Sequence, residues 1–185
     1  EMEDEVRPEA RDAVHSLASL GVKHVVMLTG DRDDVARAAG ESVGIEEVLS
    51  GLLPDDKLRK VEELVASYGT VAMVGDGVND APALALASVG IAMGAAGSPA
   101  AIETADVALM AEDLRKVPEA VVLGRRMVSV IRQNVVASLA IKAGFLVAAV
   151  SGYATLWMAV AADMGTTLLV IGNGMRLLKK NERPE

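Results

Sequence analysis

Asp76, Asn79 and Asp80 share one ten-residue run, Gly75-Asp76-Gly77-Val78-Asn79-Asp80-Ala81-Pro82-Ala83-Leu84. Carboxylates and an amide are hard oxygen donors, the kind Mg²⁺ takes alongside phosphate. The run follows an apolar, β-prone stretch at 70–74 and leads into an Ala/Leu-rich helical pattern. Its acids therefore stand at the carboxyl end of a predicted strand, where open α/β sheets bind their ligands. Glycines at 75 and 77 let the backbone turn tightly there. Thr29, Gly30 and Asp31 close another apolar stretch, and a hydroxyl with backbone N–H groups can hold phosphoryl oxygens. Lys57, in Pro54-Asp55-Asp56-Lys57, is placed to neutralise a phosphoryl group. Singly, such a turn is more often structural and such a lysine more often solvated. Together the order Thr, Lys, Asp-x-x-x-Asp describes a corner for phosphate and magnesium.

These residues need a scaffold of alternating elements. Periodicity predicts helices at 9–20, 32–43, 54–68, 80–87 and 99–104, and strands at 24–29, 48–49, 70–74, 89–93 and 107–110. Gly21 and Gly44 stop the first two helices. Pro54 suits the first turn of the third. Ser98 and Asp113 stand where caps are wanted. Strands alternating with helices imply parallel βαβ units in a doubly wound α/β sheet.

The charge is uneven. The net charge is −8, but residues 1–123 carry 10 Lys/Arg against 23 Asp/Glu, while residues 124–185 carry 8 against 3. An acidic part is joined to a basic, apolar one, and the overall acidity argues against nucleic acid as a partner. There is no cysteine, hence no disulfide framework and no thiolate metal site.

Two apolar segments, at 133–152 and 154–175, each approach the ~20 residues a transmembrane helix needs. Arg125, Arg126 and Arg132 precede them, Arg176, Lys179 and Lys180 follow, and the turn between is uncharged. The positive-inside rule then puts both ends, and the acidic domain, in the cytoplasm. The competing reading is a buried helical hairpin of a soluble protein. Lys142 and Asp163 lie inside these segments at similar distances from the turn. An ionisable residue in a membrane helix is by default a candidate functional site. The two could pair and neutralise each other, or Asp163 could hold a divalent cation with Lys142 as countercharge. At helical spacing, Met158, Met164 and Met175 read as packing residues.

Leu28-Thr29-Gly30-Asp31, Pro54-Asp55-Asp56-Lys57 and the run 75–84 resemble three phosphorylation-domain motifs of the P-type ATPases, in the haloacid-dehalogenase-like (HAD-like) superfamily. Arg7-Pro8 and Glu103-Thr104-Ala105-Asp106-Val107 fit the same pattern. The resemblance covers essentially the whole chain. It implies a HAD-like, Rossmann-like parallel sheet with flanking helices over residues 1–122, a transmembrane hairpin over 123–181 and a cytoplasmic tail at 182–185. It implies that Asp76 and Asp80 bind Mg²⁺, that Asn79 supports the ion and the phosphate, and that Thr29 and Lys57 hold the phosphoryl group. Gly30 and Asp31 would belong to the same catalytic loop, on the ATP side.

Asn134 followed after seven residues by Lys142, and Asp163-Met164-Gly165 followed after seven by Asn173, resemble the zinc/cadmium/lead subgroup of heavy-metal pumps. The implied whole is a multi-pass cell-membrane exporter of Zn²⁺, Cd²⁺ or Pb²⁺ that uses ATP and passes through an aspartyl phosphate. The Tyr-Asn and Met-Ser-Ser arrangements of copper pumps do not occur in these helices. Calcium and sodium–potassium pumps carry more helices after this domain. The family's nucleophile lies in an Asp-Lys-Thr-Gly run that this sequence does not contain. That run, the nucleotide-binding insertion, the actuator domain and a Cys-Pro-Cys metal helix would lie upstream. The chain is thus expected to be the carboxyl-terminal part of a pump, to need the remainder as partner, and to be inactive alone. The missing strand would leave open edges in the sheet, which favour aggregation. The alternative is a membrane-anchored module that binds Mg²⁺ and phosphate, or assists assembly, without catalysis. Lys142 and Asp163 speak for transport, since a mere anchor gains nothing from intramembrane charge.

Overall fold

A computed structural model describes residues 7–77, 80–94, 99–153 and 155–178. Asn79, Ser98, Lys179 and Lys180 lie outside them. The chain divides into two compact units, Glu1–Glu119 and Ala120–Glu185.

The first unit alternates helix and strand: α1 (Ala10–Ser19), β1 (Val26–Leu28), α2 (Asp33–Val43), β2 (Glu47–Leu49), α3 (Pro54–Tyr68), β3 (Ala72–Gly75), α4 (Ala81–Leu86), β4 (Val89–Met93), α5 (Pro99–Thr104) and β5 (Val107–Leu109). All the strand pairs are parallel, as helical crossovers require. The strands form two pieces, β1–β2 and β3–β4–β5, rather than one continuous sheet. Leu28 of β1 nevertheless packs on the cluster of Val61, Met73, Ala83, Leu84 and Ala87, which contains Met73 of β3. The two pieces therefore share a core. Among the described residues no strand pairs with the outer edge of β1 or of β3.

Local chemistry explains the boundaries. α2 ends where Gly44 takes a left-handed φ of 81° that a β-carbon would oppose. The helix predicted over 9–20 forms as α1. The strand predicted over 24–29 shortens to three residues. The predicted strand at 70–74 shifts forward, so that Gly75 is its last residue and Asp76 the first beyond it. Asp113 accepts the Arg115 N–H at 2.9 Å in the turn before α6 (Lys116–Val150).

An added Cβ at Gly90 would meet the Leu84 carbonyl oxygen at 2.5 Å, so α4 lies hard against β4. Asp106 fastens the same residue, accepting the Gly90 N–H at 2.9 Å. Gly90→Ala is expected to cost about 1–3 kcal/mol through overpacking. An unchanged denaturation midpoint would contradict that packing.

At the start of α3, Asp56 accepts the Leu53 N–H at 3.1 Å and pairs with Arg59. The Arg59 guanidinium first, and the Leu53 N–H second, hold its carboxyl below its ordinary value of 3.8. A lowered folded pKa gives stability that is present above the unfolded value and lost as pH falls through the folded one. The thermal midpoint should therefore drop on acidification below 3.8. Asp56→Asn should remove part of that drop, and identical acid profiles for parent and variant would contradict the assignment.

In the second unit, α6 runs on to Val150 and α7 spans Leu156–Met175. Thr155 caps α7, its Oγ1 accepting the Met158 N–H at 3.4 Å. Both helices are long and apolar enough to cross a membrane, and their apolar stretches are 0% and 6% buried. A core hairpin of a soluble protein would be mostly buried, and these stretches are not. Residues three and four apart are half-buried on each helix, Asn134, Ser138, Ile141, Phe145 and Ala148 on α6 and Ala162, Val170 and Asn173 on α7, with Thr166 buried among the latter; Asn173 joins the two helices by its hydrogen bond to Asn134.

Candidate functional site

The residues that the sequence marks as a corner for phosphate and magnesium lie at the carboxyl ends of β1 and β3 and the amino ends of α3 and α4. Thr29 follows β1. Its hydroxyl donates to Asp31 Oδ2 at 2.6 Å and accepts the Asp31 N–H at 3.1 Å. Backbone bonds tie this turn to the approach to α3: Leu52 N–H donates to the Thr29 carbonyl at 3.0 Å, and Gly51 N–H to that of Asp31 at 2.8 Å. A Cβ at Gly30 would stand 3.3 Å from the Leu52 carbonyl oxygen, so a small residue suits this turn.

Lys57 rises from the first turn of α3 and meets Asp80 on the far side. Its Nζ lies 2.8 Å from Asp80 Oδ1, and both side chains are 18% exposed. Two local rules are broken to make this contact. A cation near a helix amino terminus opposes the helix dipole. Asp80 is the N-cap residue of α4, yet its side chain makes no capping hydrogen bond, where an aspartate would ordinarily bond the next turn. Its carboxylate is directed to Lys57 instead. Paired departures from local preference are characteristic of functional sites.

Asp76 begins the segment after β3, and Gly75 lets Asp80 lie close: a Cβ there would be 3.2 Å from Asp80 Oδ2. The donor set suits Mg²⁺, which needs one or two carboxylates and completes its shell with phosphate and water. Among the described residues no cluster of three or more His, Cys, Asp or Glu could hold a metal without such help. The structure thus joins Thr29 and Asp31 in one turn and Lys57 with Asp80 in a second contact, with Gly30 in that turn and Asp76 directly after β3. Asn79 falls outside the described residues.

In the second unit Lys142 and Asp163 are exposed, and among the described residues no ion pair joins them. What joins the helices is an amide pair, Asn173 Nδ2 donating to Asn134 Oδ1 at 2.8 Å. Sequence reasoning named both asparagines as part of a pattern and gave neither a role; polar residues on the inner seam of an apolar hairpin were the signal.

A family model for haloacid dehalogenase-like hydrolases matches residues 1–88. The chain is 52% identical over 176 residues to the probable cadmium-transporting ATPase of Listeria monocytogenes, covering 95% of this chain and 25% of that one. It is 46% identical over 180 residues to a cadmium-transporting ATPase of Staphylococcus aureus, covering 97% and 25%. Among solved structures it is similar to a crystal structure of a zinc-transporting PIB-type ATPase in its E2.Pi state, with a TM-score of 0.87 and 45% identity over 95% of this chain and 28% of that one. The chain thus spans about a quarter of the length of the relatives it matches.

Proposed function

We propose that this homologue of the carboxyl-terminal part of cadmium- and zinc-transporting P-type ATPases works within an ATP-driven exporter of divalent heavy metals, Zn²⁺, Cd²⁺ or Pb²⁺. The observation that carries the reading is the Lys57–Asp80 pair, which closes the corner between β1 and β3. In the whole protein an aspartate outside this chain would accept the phosphoryl group of ATP. Thr29 would turn its hydroxyl proton from Asp31 to a phosphoryl oxygen. Lys57, held in place by Asp80, would face the charge that spreads over the equatorial oxygens during in-line transfer. Asp76, Asn79 and Asp80 would hold the Mg²⁺, which supplies neutralising charge. Such a site works by positioning and electrostatics, with little covalent work for its own side chains. The open edges of β1 and β3 support the same reading, since a parallel strand pairing with both would bring its carboxyl end to this corner.

In the hairpin, Asp163 would be a ligand of the transported ion and Lys142 its countercharge. Carboxylate oxygen suits zinc. The acidic unit and the chain's end would lie on the cytoplasmic side of the bilayer, a reading supported by the uncharged turn and basic flanks. Incubation of the purified chain with ATP tests the catalytic part. No phosphate release is expected, because the nucleophile is not in this sequence. Release that disappears in Asp76→Ala would overturn the assignment and favour a self-sufficient enzyme.

A further inference from the structure

The polar contact across the α6–α7 seam is directional. Asn134 Nδ2 reaches the Val170 carbonyl oxygen at 3.5 Å, and its Oδ1 accepts from Asn173 Nδ2 at 2.8 Å. Arg176 Nη1 donates to Asn173 Oδ1 at 3.2 Å, and Gln133 Oε1 takes a longer contact from Asn173 Nδ2 at 3.4 Å. Two of these partners have no choice of role. A carbonyl can only accept and a guanidinium can only donate. Val170 therefore sets the orientation of the Asn134 amide, Arg176 sets that of Asn173, and the bond between them points one way.

This contact also sets a register. Asn134 lies opposite Asn173, so positions facing each other across the hairpin have numbers summing to about 307 at equal rise per residue on the two helices. Lys142 and Asp163 fall about two residues, or about 3 Å along the axis, from that relation. The angular positions agree as well. At about 100° per residue, Lys142 stands roughly a quarter-turn from the centre of the α6 seam, and Asp163 is rotated by a similar angle, in the same sense along its chain, from the α7 seam. Because the helices are antiparallel, equal rotations along each chain lead to the same flank of the hairpin. A slip of one residue would move one of the two by about 1.5 Å and about 100°.

We propose that the Asn173-to-Asn134 hydrogen bond is a positioning lock that fixes the hairpin register and so presents Lys142 and Asp163 within about one turn of each other in depth on one flank. The functional meaning of that flank rests on the ion-site reading above; the lock itself does not.

The test uses the full 185-residue chain in lipid nanodiscs. Because it has no cysteine, the pair Lys142→Cys with Asp163→Cys reports alone. A bifunctional maleimide reaching about 10 Å, the spacing of packed helix axes, should join the two positions within one chain. Asn134→Asp keeps the acceptor facing Asn173, and crosslinking should stay within about twofold of the parent. Asn173→Asp removes the donor and sets acceptor against acceptor, and crosslinking should fall at least about fivefold. Equal crosslinking in parent and Asn173→Asp overturns the lock. An equal fall in both variants overturns it too, because the effect would then not follow the direction of the bond. Neither ion nor ATP enters the measurement, so the lock can fail while the ion site stands, and the reverse.

Discussion

Asp163→Asn should lower metal-stimulated ATP hydrolysis of the full-length protein by about 100-fold or more, the upper end of what loss of a group at a metal centre does. The substitution keeps the size and one oxygen of the side chain and removes its charge. Formation of phosphoenzyme from inorganic phosphate should persist, since that chemistry is proposed for the corner in the other unit. Lys142 separates transport from mere neutralisation. If the two charges only cancel, Lys142→Met combined with Asp163→Asn should restore the activity that each single variant loses. If Asp163 is an ion ligand, the double variant stays inactive. Recovery in the double variant would remove the ion from the account.

Lys57→Met should slow phosphoryl transfer in the full-length protein by about 10²–10³-fold, the effect of losing one preorganised donor to developing oxyanion charge. The partner left behind must be handled separately. Asp80 is 18% exposed and gives Oδ1 to Lys57, so the single variant also strands a largely buried carboxylate. Lys57→Met with Asp80→Asn relieves that strain. The double variant should regain thermal stability and remain slow in transfer. Recovery of transfer along with stability would make the pair a structural bridge and take Lys57 out of the chemistry.

The parts of this fold legible in the sequence were those with strong local chemistry. Pro54 opened α3 and Gly44 ended α2 where expected, and the acids of the ten-residue run stand beyond a strand end as the pattern required. The break between β1 and β3 was less visible. Apolar alternation marks a strand but does not name its neighbour, and residues 24–29 and 70–74 read like members of one sheet. The proposed site stands in the sequence as residue types in order. Its defining contact was not, because Lys57 and Asp80 meet across 23 positions against the local preferences of both helices. Lys142 and Asp163 showed the reverse. Their similar distance from the turn is a matter of spacing, while their exposure depended on which positions of α6 and α7 are buried.

The most direct measurement is ATP-driven uptake of Zn²⁺ or Cd²⁺ into inside-out vesicles carrying the full-length protein. Uptake should require ATP and Mg²⁺, and should be lost in Asp76→Ala and in Asp163→Asn. Uptake that continues in both variants, or a protein that moves neither metal, would contradict the account.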